Sequence, residues 1–499
     1  MCGFVCLWKI DDPDLARRMI DKIAHRGPDE LRVSRVPNAP ALMAHCRLAI
    51  IGPDDGSQPI YANGNALVAA GEIYNYADLR MKVGEAAFQT QSDSETILHL
   101  FGSEELQWIS NLEGMFAFVL TTPNRVIAAR DPLGIKPLYM AGIADGLAFA
   151  SELKAFDGLG LDRIDAIDPG TMFDSMEGIR EWYRVPRGAA ELDPGEDPEP
   201  IWRALRLALE KAVRKWMTAD VEVGSFLSGG LDSSVIAALA ARAIDTPLKT
   251  FSVGTAGSAD IAAARVVAEH IGSDHHELIF TADDVAKALP RVIYHLESAD
   301  VDVVRSALPT HFATMLARRH VKAVLTGEGA DELFAGYAYH HAYAQNPRGL
   351  ADEITRSLSA MHNINLQRVD RITMAQGLEA RTPYLDSDLI DFAQSVPATL
   401  KMKSANKTVP KSMEKWILRK ACEDLLPADI VWRKKAQFDE GSGTVDALGQ
   451  ALSKVLGVEP PINREGESGL YERLLREQYE EPDLILRNAG NWTAERIEF

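Results

Sequence analysis

The architecture of this chain is read first from GSFLSGGLDSSVIAALAARAI, Gly224 to Ile244. A short apolar run, two glycines and an alanine-rich run predict a strand, a tight turn and a helix. LKTFSVG (248–254) predicts a second strand, DIAAARVVAEHIG (260–272) a helix and HHELIF (275–280) a third strand. Strands alternating with helices imply a parallel sheet. Upstream, IWRALRLALEKAVRKWM (201–217) has strong helical periodicity. Beyond Thr281 the pattern is mostly helical, apart from a short strand in KAVLTGEG (322–329).

The turn carries chemistry. In SGGLDSS (228–234), Gly229 and Gly230 let backbone amides approach a ligand closely. Ser228, Ser233 and Ser234 add hydroxyls, and a helix starting near Asp232 points its positive end at the loop. The GK[ST] ending of a Walker loop is absent. The combination suits pyrophosphate and resembles the loop of ATP pyrophosphatases. Ligands of such sheets bind at the carboxyl ends of strands, which puts Ser252 and Val253 beside the adenine. GEGADE (327–332) closes another strand with glycines and three carboxylates. Mg²⁺ favours one or two carboxylates plus phosphates, so Asp331 with Asp232 is the candidate metal pair. Glu328 is the candidate general base.

The first part of the chain reads differently. ALMAHCRLAII (41–51), NALVAAGEIY (65–74), GMFAFVLTT (114–122), RVIAARD (125–131) and GLAFASE (146–152) predict strands. DLARRMIDKIAHR (14–26) and DSETILHLFGSEELQWISNL (93–112) predict helices. Many short strands with few helices imply an α+β domain. VPRGAAELDPGEDPEP (185–200), with four prolines, two glycines and five acidic residues, predicts a linker. The expected division is 1–184, linker 185–200, and 201–499. Cys2 follows Met1, so loss of Met1 would leave a cysteine whose own α-amine can take the thiol proton. Arg47 could hold a carboxylate and Asp93 an ammonium, together a site for a free α-amino acid.

The 499 residues carry 53 Lys and Arg against 72 Asp and Glu, a net charge of −19. That argues against a nucleic-acid backbone as main partner. Four cysteines without CxxC spacing exclude a disulfide scaffold or zinc site and fit a reducing cytosol. No run of about 18 apolar residues exists, and the N-terminus turns acidic too soon for a signal peptide. A cytoplasmic protein without membrane contact is expected. The pairs His275–His276 and His340–His341 point to opposite faces and are not read as a metal site. The charged tail from Pro460 reads as a solvated helix and a loose end.

Taken together, the motifs resemble glutamine-dependent asparagine synthetases over nearly the whole chain. MCGF, HRGPDE, GEIYN, SDSE, EGMFAF, RDPLGIKPLY and ASELKAF resemble the class II glutamine amidotransferase domain. SFLSGGLDSS, FSVG, IYHLES, LTGEGADELFAGY, GLEARTPYLD, MEKWILRKA and RKKAQF resemble the synthetase domain. The resemblance implies an N-terminal nucleophile α+β domain with two antiparallel sheets between helices, then an α/β parallel-sheet domain with a helical lobe. It implies that Cys2 attacks glutamine held by Arg47, Gly71, Glu72 and Asp93, the Gly71 amide serving an oxyanion hole. Ammonia would cross a tunnel to an acyl-adenylate made from ATP with Mg²⁺. Leu227, Ser228, Gly229, Gly230, Asp232, Ser233, Ser234, Ser252, Val253 and Gly327 would bind ATP. Glu328 would take the proton from the attacking nitrogen, Lys435 would stabilise charge during adenylation, and Arg305 would contact phosphate or substrate. Aspartate is the first-guess acceptor, and a homodimer is expected from the family alone.

Two positions depart from the pattern. The family has Asn-Gly before the glutamate; this chain has Ala70-Gly71, losing an oxyanion donor of a kind worth about 10² to 10³ in rate. Two readings follow: a weak glutaminase with free ammonia used instead, or a donor supplied by another residue. The family commonly reads D-x-T-T-x-R where this chain has Asp300-Val301-Asp302-Val303-Val304-Arg305. Asp302 would repel an anionic acceptor unless paired with a cation, so a different carboxylic acid is the alternative acceptor.

Overall fold

The computed structural model describes residues 2–102, 106–191, 197–403, 412–433, 441–456 and 463–490. Twelve strands form the first domain: β1 (Cys2–Trp8), β2 (Glu30–Arg35), β3 (Ala41–Arg47), β4 (Ile60–Ala62), β5 (Asn65–Ile73), β6 (Gly114–Thr121), β7 (Val126–Arg130), β8 (Tyr139–Ile143), β9 (Gly146–Ala150), β10 (Asp165–Ala166), β11 (Thr171–Asp174) and β12 (Gly178–Glu181). They make two antiparallel six-stranded sheets, ordered β10-β8-β9-β1-β3-β2 and β12-β11-β7-β6-β5-β4. Alternate residues of the two sheets meet in one core: Cys2, Phe4, Cys6 and Met43 from one, Val68, Ala70, Ala117 and Val119 from the other. The outer faces pack against helices, Leu15 and Met19 of helix Pro13–Lys22 among them. β1 is buried at all seven residues, because both of its faces are covered. It therefore shows no alternation, and the pattern reading passed over it.

The second domain holds a five-stranded parallel sheet of β13 (Val223–Phe226), β14 (Lys249–Gly254), β15 (Asp274–Ile279), β16 (Ala323–Leu325) and β17 (Glu379–Arg381). Its order is β15-β14-β13-β16-β17. The strand order reverses between β13 and β16, which opens the crevice where doubly wound sheets take ligands. SGGLDSS follows β13 and GEGADE follows β16, so the two candidate loops meet there. β17, from GLEAR, is too short for a periodicity signal and was not read as a strand.

Two expectations change. Of the predicted linker, residues 185–191 are hydrogen-bonded to the second domain: Gln394 Nε2 donates to Pro186 O at 2.9 Å and Ala398 N to Ala189 O at 2.9 Å. Residues 192–196 lie outside the described residues. The tail helix Arg464–Arg476 is not simply solvated; it buries Glu467, Leu470, Tyr471 and Leu475. Its apolar positions have a face on helix Val301–Ala317 to pack against, which charge content alone concealed. No helix of the described residues is long and apolar enough to cross a membrane.

The domains are joined through buried charge. Arg26 Nη1 lies 2.6 Å from Glu152 and 2.7 Å from Asp370. Lys154 meets Glu152 at 2.5 Å and Glu297 at 2.9 Å, while Arg371 meets Glu297 at 2.8 Å. Lys136 stands 3.3 Å from Asp370. HRGPDE, ASELKAF and IYHLES thus supply partners to one another. Burial alone would raise the Glu152 carboxyl, yet Lys154, His25, Arg26 and Arg371 hold it well below the usual carboxylate range.

Candidate active site

Cys2 opens β1 and pairs in register with Arg47 of β3. Arg26 Nε donates to Cys2 O at 3.1 Å. Burial pushes the Cys2 thiol up, while the Leu48 amide and the Arg47 guanidinium pull it down. Arg47 is aimed by its own loop: Nη1 donates to Pro53 O at 3.0 Å and Nη2 to Gly52 O at 2.5 Å. A Cβ on Gly56 would stand 2.5 Å from Arg47 Nη2, so glycine leaves the guanidinium its room. Asp93 is buried and accepts from Ile73 N at 2.6 Å; burial pushes its carboxyl up to about 6. Gly71 has φ +129°, and a Cβ there would lie 1.9 Å from Met115 O. Only glycine fits that close approach to β6. Ala70 is 1% exposed with its side chain in the core between the sheets, so position 70 offers no side-chain donor.

The second domain reaches this site. Glu72 is buried, and its carboxylate faces Arg381 of β17 at 4.0 Å. Arg381 Nε donates to Glu379 at 2.6 Å, and Glu379 raises the Cys2, Glu72 and Asp93 groups alike. Glu379 and Arg381 were missed as site residues, although GLEARTPYLD had been singled out as a motif.

The second site is a cavity of about 620 Å³ at the strand-order switch, lined by Leu227, Ser228, Gly230, Asp232, Ser233, Ser252, Val253, Gly327, Glu328 and Asp331. The loop braces itself: Ser228 N donates to Ser233 Oγ at 3.1 Å and Gly230 N to Ser228 Oγ at 3.3 Å. A Cβ on Gly327 would sit 2.8 Å from Ser233 N, so glycine lets the two loops touch. Gly229 and Ser234 do not line the cavity. Gly229, at φ +73°, packs against Ala263 and Ala264, and Ser234 is fully buried. Glu328 is on the wall, with Oε1 accepting from Arg368 Nη2 at 2.5 Å.

Arg305 is a correction. It is absent from the cavity wall among the described residues, and its guanidinium forks onto Glu467 at 2.9 and 2.5 Å. A buried carboxylate on the tail helix claims it. Asp302 does line the cavity, and Arg464 of the same helix pairs with it at 2.7 Å. Lys435 lies outside the described residues. Five cations of the wall were missed: Lys415, Arg356, Arg368, Arg419 and Arg433. Lys415 and Arg433 fall inside MEKWILRKA and RKKAQF, which could have pointed to them.

Asp232 Oδ2 and Asp331 Oδ1 converge on one cation, the Lys415 ammonium, each at 2.5 Å. Asp232 Oδ1 is buried without a hydrogen-bond partner. Two carboxylates from the first turns of two helices on one point, one with an unused oxygen, fit a Mg²⁺ that takes its other ligands from phosphate and water.

A family model described as a glutamine amidotransferase domain matches residues 1–177, and one described as asparagine synthase matches 204–353 and 344–498. The chain is 37% identical to an asparagine synthetase (glutamine-hydrolysing) of Asparagus officinalis, over 89% of this chain and 78% of that protein. It is 38% identical to asparagine synthetase (glutamine-hydrolysing) 3 of Arabidopsis thaliana, over 89% of this chain and 79% of that one. The chain belongs to the glutamine-hydrolysing asparagine synthetase family, and is an ATP-dependent amidotransferase that forms carbon–nitrogen bonds.

Proposed function

We propose that the chain converts aspartate, ATP and glutamine to asparagine, AMP, pyrophosphate and glutamate. The observation that carries this reading is the pairing of two sites in one molecule: Cys2 with Arg47 and Asp93, and Glu328 with the phosphate loop. Arg47 and Asp93 take the glutamine α-carboxylate and α-amine. The Cys2 sulfur bonds to the side-chain carbonyl carbon, ammonia leaves, and water later frees glutamate from the thioester. The Gly71 amide receives the oxyanion charge.

In the cavity, the loops 228–234 and 326–331 hold ATP. The aspartate β-carboxylate bonds to the α-phosphorus as the bond to pyrophosphate breaks. Ammonia then attacks the acyl carbon, Glu328 takes its proton, and AMP leaves. Asp232 and Asp331 would hold Mg²⁺, which supplies charge neutralisation for the leaving pyrophosphate. Lys435 remains the proposed adenylation cation. The division into 1–184 and 201–499, a homodimeric state and a cytoplasmic home belong to the same proposal.

One observation favours a second reading, an acceptor other than aspartate. Arg305, the expected cation for substrate, is tied to Glu467, while Asp302 on the wall already has its own cation in Arg464. The test is pyrophosphate release with ATP, Mg²⁺ and saturating ammonium across a panel of carboxylic acids. Release with L-aspartate, giving asparagine, supports the first reading. Release with another acid and none with aspartate replaces it by the second.

A further inference from the structure

We propose that Lys415 is a positioning residue that doubles as an exchangeable cation: it holds Asp232 and Asp331 at the metal position and yields when Mg²⁺ enters together with phosphate. The inference rests on the reading that this pair binds Mg²⁺ during ATP use.

The geometry is built for the contact. Lys415 directly precedes helix Trp416–Ala421, in a left-handed conformation with φ +55° and ψ 28°. L-residues other than glycine adopt that region rarely, so the surrounding structure over-determines it. Its side chain is 3% exposed, and Nζ stands 2.5 Å from both carboxylates. Gly336 makes the room: a Cβ there would lie 1.9 Å from Asp331 Oδ1 and 2.1 Å from Lys415 Cε. Asp232 and Asp331 come from the first turns of separate helices, Leu231–Ala243 and Ala330–Leu333, and would repel each other across this gap without a cation.

One ammonium is an incomplete match for two carboxylates. It leaves net negative charge, and it leaves Asp232 Oδ1 buried without a partner. A divalent ion matches the charge and can use the same oxygens, at about 2.0–2.1 Å for Mg²⁺. The ammonium and the metal cannot share the position. Metal entry therefore drives Nζ out, and a buried ammonium needs another anion. The phosphate that arrives with the metal is that anion. It follows that the divalent ion alone binds poorly, and that metal and phosphate bind together.

The test uses Mn²⁺, visible by electron paramagnetic resonance, with the full chain and its Lys415→Met and Lys415→Gln variants. Each is titrated with Mn²⁺ alone and with Mn²⁺ plus inorganic pyrophosphate. We expect both variants to bind Mn²⁺ alone at least ~10-fold more tightly than wild type. We expect pyrophosphate to strengthen Mn²⁺ binding to wild type by ~10-fold or more, and to strengthen it less in the variants. Equal or weaker binding of Mn²⁺ alone by a folded variant overturns the exchange. Failure of wild type and both variants to bind Mn²⁺ even with pyrophosphate overturns the metal reading itself.

Discussion

Asp370→Asn removes one carboxylate from the charge cluster between the domains. Asp370 is 3% exposed and meets Arg26 at 2.7 and 3.2 Å and Lys136 at 3.3 Å. Burial alone would raise its carboxyl, but Arg26 and Lys136 hold it below the usual value. The carboxylates of Glu152, Glu297 and Asp370 face the cations of Arg26, Lys136, Lys154 and Arg371, three against four. The substitution leaves two against four in a place water does not reach. Breaking a buried pair costs about 3–5 kcal/mol, and an asparagine carbonyl still accepts from Arg26, so the expected loss is about 3 kcal/mol. That is a large share of a typical folding free energy of ~5–15 kcal/mol. Urea unfolding followed by tryptophan fluorescence reads it as a lower midpoint. The control is Asp283→Asn, which breaks a pair with Lys454 of similar length, 2.6 Å, but with side chains 66% and 63% exposed. That pair is screened by solvent, and its loss should leave the midpoint unmoved. Because Arg26 also holds Cys2 O, glutamine-dependent activity should fall more than ammonium-dependent activity. An Asp370→Asn midpoint no lower than that of Asp283→Asn, with the activity ratio unchanged, would refute the reasoning.

Three further outcomes are expected. Asp93 has a carboxyl raised from 3.8 to about 6 by burial, so its protonated form favours the fold below about pH 4 and that contribution is lost as pH rises through about 6. Binding the glutamine ammonium needs the ionised form, so the KM for glutamine should climb about tenfold per unit below pH 6 while ammonium-dependent turnover does not follow; parallel profiles would dismiss Asp93 as the amine partner. Gly327→Ala puts a methyl 2.8 Å from Ser233 N and should weaken ATP binding at least ~10-fold by forcing the loops apart, measured by calorimetry; unchanged affinity would mean the loops do not need to touch. Ala70→Asn supplies a donor where the side chain now only fills the sheet core, and should raise glutaminase kcat by up to ~10²-fold. No gain in glutamate release would show that another group already serves the oxyanion.

Local chemistry sets what residue pattern alone can specify. The strand, glycine turn and helix of SGGLDSS and the pairing of an α+β half with a parallel-sheet half follow from short-range pattern. Cys2, the phosphate loop and Glu328 stood out as candidates only as members of motifs in order, because a lone cysteine or an acidic turn has many other uses. The tertiary structure decided partnership. Lys415 meets Asp232 across 183 positions of chain, and Arg26 meets Asp370 across 344. No local periodicity encodes such pairings. β1 was invisible because burial on both faces erases alternation, and the tail helix was misread because charge content does not reveal which face is covered. Arg305 shows the difference most directly: its chemistry, a cation that seeks an anion, is written in the sequence, but a helix more than 150 residues away decides that the anion is Glu467.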